Sequence, residues 1–155
     1  MFKRPTKLLL LLLLFTVLCN ARQALATDSL TAAQIRETPL VGIIINDKTV
    51  QVEYAATFAQ RSMGLMHRQS LCQQCGMLFK FSNAKMASMW MKNTLIPLDV
   101  AFIRSDGVIT DIRALQPHNL TSVGSSEEVL FALEMNQGWF KTHGIAVGDT
   151  VQIQP

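Results

Sequence analysis

Charged residues are scarce in this chain: they make up 16% of its 155 residues, whereas about 25% is usual for a soluble protein. Long apolar runs are also missing, because the longest, residues 8–18, has about 11 residues and a membrane-spanning helix needs about 20. The length fits one folded domain. The sequence therefore excludes a multidomain protein or a repeat array, and it argues against a permanent transmembrane segment.

Cysteine and histidine are too few for a closed metal site. The chain has three of each, and a structural zinc ion takes about four nitrogen or sulfur ligands. Only His67 lies near Cys72 and Cys75 in the sequence. The sequence therefore predicts no structural metal ion, and we expect no cofactor.

The first 26 residues have the order of a secretory signal peptide. Lys3, Arg4 and Lys7 precede the apolar run, and Ala24-Leu25-Ala26 places small residues at the two positions that signal peptidase reads. This order predicts cleavage after Ala26 and a periplasmic or secreted protein. An uncleaved membrane anchor is one alternative, and lipid modification of Cys19 is another.

The basic character of the chain belongs largely to this leader. The whole chain has a net charge of +3, from 14 basic and 11 acidic residues. Four of the basic residues (Lys3, Arg4, Lys7 and Arg22) leave with the leader, so 10 remain against 11 acidic residues. Because no basic stripe is left to neutralise phosphates, the sequence predicts no nucleic-acid partner and no transmembrane segment after cleavage.

Hydrophobic patterning predicts a flexible linker over residues 27–38 and a single globular domain over residues 39–155. Apolar β-branched runs and period-2 alternation indicate about eight short strands, with a turn at Ser82-Asn83-Ala84 and a hairpin at Asp106-Gly107. Two short helices are predicted over residues 57–67, capped by Thr57, and over residues 138–143. The predicted fold is α+β, mainly β: a compact, barrel-like antiparallel or mixed sheet.

Polar groups interrupt two apolar runs between residues 90 and 99, where a binding loop held by rigid strands is expected. Pro97 fixes an extended backbone, and Lys92 and Asp99 could meet across the bend. The candidate ligand-binding residues are Trp90, Lys92, Asn93, Thr94 and Asp99. A plain turn with a solvated Lys92 is the alternative.

The pair Cys72 and Cys75 is a candidate disulfide, because two nearby cysteines in an oxidising compartment most often join. A redox pair and a metal site remain alternatives. Soft thioether and thiolate ligands select Cu(I), so methionines such as Met63, Met66 and Met89 could complete a copper site with these cysteines. Methionine is also an ordinary filler of protein cores.

An ordered series of short motifs resembles the domain-of-unknown-function 192 family over roughly residues 45–153. The matching residues are 61–66, 76–79, 90–99, 101–103, 106–107, 133–134, 138–139, 143–145 and 148–149. The resemblance implies a compact, mainly β domain, often with an export signal, and no assigned biochemical activity. Cys72 and Cys75 occupy a loop that is more usually acidic or proline-bearing in this family, and the loop over residues 116–126 lacks a cysteine often found there.

Three hypotheses on function follow. The first is an exported module that binds a small molecule, a glycan or a protein partner through the loop at Trp90. The second is an enzyme that uses Lys92, Asp99 or Glu134 as an acid, a base or an electrostatic group. The third is a periplasmic thiol-redox or copper-binding protein built on Cys72 and Cys75.

Overall fold

The computed structural model describes residues 38–154. The predicted signal peptide and most of the predicted linker lie outside these residues, as does Cys19. Seven strands and two short helices make up the described part of the chain. They are β1 (Leu40–Ile45), β2 (Lys48–Ala55), α1 (Phe58–Met63), β3 (Gly76–Met89), β4 (Leu98–Ile103), β5 (Ile109–Leu115), β6 (Val123–Asn136), α2 (Trp139–Thr142) and β7 (Val151–Ile153).

All seven strands form one sheet in the order β5-β4-β6-β3-β2-β1-β7. Every neighbouring pair is antiparallel except β2 and β3, which run parallel. The chain just outside the two edge strands also pairs, because Val108 and Thr150 form an antiparallel bridge. Next to it, Val151 N–H donates to the Gly107 carbonyl at 2.8 Å. The sheet therefore curls into a half-barrel, which confirms the predicted mainly β, barrel-like mixed sheet.

Apolar side chains pack on both faces of this sheet. One buried cluster takes residues from all seven strands and from α2, and we call it the inner core. The other, which we call the outer core, lies on the opposite face of β3, β4 and β6. Leu65, Met91 and Ile96 of the connecting segments cover the outer core. Alternate residues of β3 therefore contribute to different cores, as Leu78 and Phe79 show.

The predicted turn at Ser82-Asn83-Ala84 is wrong. This stretch continues β3, so two predicted short strands are one strand of 14 residues, paired with the equally long β6. Register shifts between Lys80 and Lys85 and between Met86 and Ser88 accommodate the polar stretch as irregularities within the ladder. The sheet therefore has seven strands, of which two are long, instead of about eight short ones.

Two local predictions are confirmed by hydrogen bonds. The hydroxyl of Thr57 accepts from Gln60 N–H at 3.2 Å, and the Gln60 side chain accepts from Thr57 N–H at 3.0 Å, which is a capping box. Gly107 has φ +89° in the turn between β4 and β5, a conformation that side chains disfavour. The helix begins where predicted but ends at Met63, because Gly64 at φ +49° turns the chain away.

Candidate functional site

Glu134 is a carboxyl group placed among apolar side chains of the sheet. It lies in β6 opposite Met77 of β3 on one side and Val100 of β4 on the other. Paired residues of an antiparallel ladder share a face, and both neighbours belong to the outer core. Glu134 is only 4% exposed.

A cavity of about 340 Å³ opens over Glu134 between the sheet, α1 and the loop that starts at Trp90. Its apolar lining comes from Leu65, Met66, Phe79, Phe81 and Met89, and the side chains of Arg61, Ser62, Lys85 and Ser88 add a polar part. Thr94 and Glu134 are its buried polar groups. Exposed side chains stand at its mouth: Phe58, Met63, Lys85, Ser88 and Trp90.

The Glu134 carboxyl faces this cavity without a hydrogen-bond partner among residues 38–154. No side-chain oxygen in this part of the chain is both sealed from the surface and unpaired, so the carboxyl oxygens border the cavity. Burial removes the water that would stabilise the charged form, and it raises the pKa of Glu134 to about 8. At neutral pH the group therefore holds its proton and can both donate and accept a hydrogen bond.

Asp111 is also buried, but its carboxylate is fully paired within the fold, in contrast to that of Glu134. Burial raises its pKa, but hydrogen bonds from Ser126, Thr110 and Arg113 outweigh that effect and hold the pKa below its usual value. The Ser126 N–H and hydroxyl donate at 2.9 and 2.7 Å, and the Arg113 guanidinium donates at 2.7 Å. Asp111 therefore ties β5 to β6, whereas Glu134 has no such structural task.

Contacts at both ends of α1 hold it over the cavity. The Arg61 guanidinium donates to the Lys80 carbonyl at 2.9 Å and to the Ala56 carbonyl, which ties the helix to β3 and to the residue that follows β2. A Cβ atom at Gly64 would lie 3.3 Å from the Phe79 ring, so glycine lets the chain pass close above the sheet. Leu65 then enters the outer core.

The loop at Trp90 is fixed by its backbone. Asn93 has φ +54°, and its carbonyl accepts from His67 N–H at 2.8 Å, which links the loop to the segment after α1. Met91 N–H donates to the Asn119 carbonyl at 2.9 Å, and the Thr94 hydroxyl donates to the Lys92 carbonyl at 3.4 Å. These bonds place the Trp90 and Thr94 side chains in the cavity lining.

The structure brings together only some of the residues predicted to form the site. Trp90 and Thr94 line the cavity, and the Lys92 ammonium lies 5.5 Å from the centre of the Trp90 ring. Asn93 shapes the loop but is not part of the lining. Asp99 is elsewhere: its carboxylate accepts from Gly138 N–H at 2.8 Å, and among residues 38–154 it forms no ion pair with Lys92.

Cys72 and Cys75 are joined by a disulfide, with their Cα atoms 5.0 Å apart. The disulfide loop packs on α2, because the Gln74 side-chain oxygen accepts from the Trp139 indole N–H at 3.0 Å. Neither cysteine lines the cavity, so the pair and the methionines of the cavity wall do not form one site. Within residues 38–154, no three His, Cys, Asp or Glu side chains are grouped as metal ligands.

Sequence reasoning named Glu134 only as one acid among several and did not place it in the binding site. The signal was present, because a lone acidic residue interrupts the apolar stretch from Val129 to Met135 in a strand that is otherwise buried at this end. The contributions of Phe81, Lys85 and Met66 to the cavity had no comparable signal, since they depend on how α1 packs over the sheet.

The chain belongs to the DUF192 family, described as Uncharacterized ACR, COG1430, whose model matches residues 41–153. A solved structure of a proposed transcription regulator from Sinorhizobium meliloti 1021 is 38% identical; the match covers 74% of this chain and 92% of that one, with a TM-score of 0.69. A protein of unknown function from Novosphingobium aromaticivorans DSM 12444 is 33% identical over 73% of this chain and 83% of its own, with a TM-score of 0.67. None of the curated proteins matches the chain.

Helix length bears on membrane insertion. Over residues 38–154, neither the length nor the apolar character of any helix suffices to cross a membrane.

Proposed function

We propose that this protein is an exported binding module whose cavity holds a small, mainly apolar molecule against Glu134. The observation that carries the proposal is the Glu134 carboxyl, which lies without a partner among residues 38–154 at the buried end of the cavity. The carboxyl oxygens border the cavity, so a ligand with a hydrogen-bonding group can pair with them, whereas an apolar ligand that displaced water would leave them unpaired. The secretory order of the first 26 residues supports export.

The dimensions and lining of the cavity fit a small molecule better than a glycan or a protein partner. Small-molecule sites are concave, about 300–1,000 Å³ in volume, and lined by apolar side chains with a few placed polar groups. The cavity has about 340 Å³, its buried part places Thr94 and Glu134 among apolar side chains, and its other polar residues are Arg61, Ser62, Lys85 and Ser88. A glycan would bring many hydroxyl groups, and in the buried part of the cavity only Thr94 and Glu134 could pair with them.

A thermal-shift screen of small apolar and amphipathic molecules tests this proposal. A ligand at about 100 times its Kd adds about 2.7 kcal/mol to the free energy of unfolding, which raises Tm by several degrees. Ser88→Phe places a ring in the cavity mouth and should abolish the shift. Ser82→Phe, on the same strand but outside the lining, should leave it intact. A ligand that stabilises the Ser88→Phe protein as much as the wild type would place binding outside the cavity.

A second candidate function is acid catalysis by Glu134. A carboxyl group with a pKa near the working pH, placed in a cavity, is suited to deliver a proton to a bound substrate. Mass spectrometry of a ligand from the screen, after incubation with the protein, separates the two functions. A binding module returns the ligand unchanged, whereas an enzyme converts it and its Glu134→Gln variant does not.

A further inference from the structure

We infer that the cavity takes an amphiphile with two polar ends: a hydroxyl group that bonds to Glu134 and an anionic group that stays at the mouth. This inference rests on the proposed binding function and names the class of ligand. It stands on two independent observations, one at each end of the cavity.

The buried end requires a group that can hydrogen-bond to a neutral acid. Glu134 lies between Met77 and Val100 and has no partner among residues 38–154. A protonated carboxyl has one O–H donor and free acceptor capacity, and a hydroxyl group matches both. A purely apolar ligand would leave the carboxyl unpaired.

Two ammonium groups lie over aromatic rings that line the cavity, and of these two lysines Lys85 belongs to the lining itself, whereas Lys92 reaches only the Trp90 ring. The Lys85 ammonium lies 4.8 Å from the centre of the Phe81 ring, and the Lys92 ammonium lies 5.5 Å from that of Trp90. Such cation–π contacts hold a charge in place without neutralising it. In the described part of the chain, neither lysine forms an ion pair.

The charges around the cavity disfavour a cationic ligand. Arg61 and Lys85 belong to the lining, and Glu134 is the lining's one acid within residues 38–154. Because Glu134 faces apolar neighbours and keeps its proton at neutral pH, the positive charges at the mouth are not balanced from within. An amine would have to pass these groups, whereas an anion is attracted to them.

Three matched probes test the inference by titration calorimetry at pH 7. They are 8-hydroxyoctanoate, octanoate, which lacks the hydroxyl group, and octan-1-ol, which lacks the carboxylate. We expect the wild type to bind 8-hydroxyoctanoate about tenfold more tightly than either of the others, since one net hydrogen bond or ion contact is worth about this factor.

Variants show which end of the cavity causes the preference over octanoate and which causes the preference over octan-1-ol. Glu134→Leu should remove the preference for 8-hydroxyoctanoate over octanoate, and Glu134→Gln, whose amide still donates and accepts, should keep it. Lys85→Gln combined with Lys92→Gln should remove the preference over octan-1-ol. Circular dichroism and melting curves of each variant ensure that folded proteins are compared.

Three results would overturn the inference. Equal affinities of the wild type for all three probes would show that the two ends do not select polar groups, while the proposed binding function stands. If none of the probes binds but the screen yields ligands that Ser88→Phe blocks, the two-ended ligand is wrong and the binding module remains. A screen without any cavity ligand contradicts both.

Discussion

Asp99 and Glu134 lie on neighbouring strands but face opposite sides of the sheet. Glu134 pairs with Val100, which belongs to the outer core, and Asp99 pairs with Met135, which belongs to the inner core. Glu134 pairs with the residue next to Asp99 instead of with Asp99 itself, and successive side chains of a strand point to opposite faces of the sheet. They therefore cannot face one bound molecule from the same side of the sheet, and Glu134 is the only acid of the cavity lining within residues 38–154.

Stability should depend on pH through Glu134. Its pKa is raised from 4.5 to about 8 in the folded protein, so the folded state keeps a proton that the unfolded state has lost over this range. The stabilisation is complete below pH 4.5 and is lost as the pH rises towards 8, with a slope of up to about 1.4 kcal/mol per pH unit. Denaturant unfolding at pH 5 and pH 8 measures this loss.

Glu134→Gln is the matched control, because its amide does not titrate. The variant should lose less free energy of unfolding than the wild type between these two pH values. If both proteins lose the same free energy of unfolding between pH 5 and pH 8, Glu134 is ionised in the folded state at neutral pH. That result would contradict the raised pKa of Glu134.

Asp99→Ala should lower the free energy of unfolding and leave ligand binding unchanged. The substitution leaves the Gly138 N–H at the start of α2 without its acceptor, and because this hydrogen bond is only part-buried the expected cost is about 0.5–1.5 kcal/mol. The affinity for a cavity ligand should stay within twofold of the wild type, because Asp99 faces the other side of the sheet. A large loss of affinity with an unchanged free energy of unfolding would show that Asp99 takes part in ligand binding.

Removing the disulfide should affect stability alone. Cys72 and Cys75 close a short loop with a sequence separation of 3, so chain-entropy arguments give about 2 kcal/mol for the crosslink. The Cys72→Ser/Cys75→Ser variant should therefore unfold at lower denaturant and bind cavity ligands as the wild type does. Loss of function in the folded variant would favour the thiol-redox or copper hypothesis instead.

The intact mass of the purified protein tests the export prediction. Cleavage after Ala26 gives a chain that starts at Thr27, recovered from the periplasmic fraction or the medium. An Ala26→Phe variant should keep its leader, because a bulky residue replaces a small one that signal peptidase reads. A wild-type mass that includes residues 1–26, or a lipid on Cys19, would contradict this cleavage.

The sequence predicts local structure well where one residue decides it. Gly107 in the Asp106-Gly107 turn and the cap at Thr57 are of this kind, since their backbone requirements are local. The polar stretch at Ser82 was wrongly predicted as a turn, because irregular pairing with β6 keeps it in the sheet. The local sequence pattern does not show which strand will pair with it. The parallel pairing of β2 with β3 was not predicted, for the same reason.

The site was predictable in part. Trp90 and Thr94 were identified because they belong to residues 90–99, where an aromatic and several polar groups lie between two apolar strands, and both line the cavity. The face of Asp99 depends on the register between β4 and β6, which sequence alone does not fix. The place of Glu134 depends on that register and on α1 packing over the same face.

Carbon-13 spectra of the protein labelled at the glutamate carboxyl groups test the central claim most directly. The chain has five glutamates, so the Glu134 signal can be assigned by comparison with the Glu134→Gln variant. Octan-1-ol is the probe, since its hydroxyl group can reach the carboxyl without adding charge. We expect the Glu134 signal to move on saturation with octan-1-ol, while the signals of Glu53, Glu127 and Glu128 stay in place. A bound protein whose Glu134 signal does not move would contradict it.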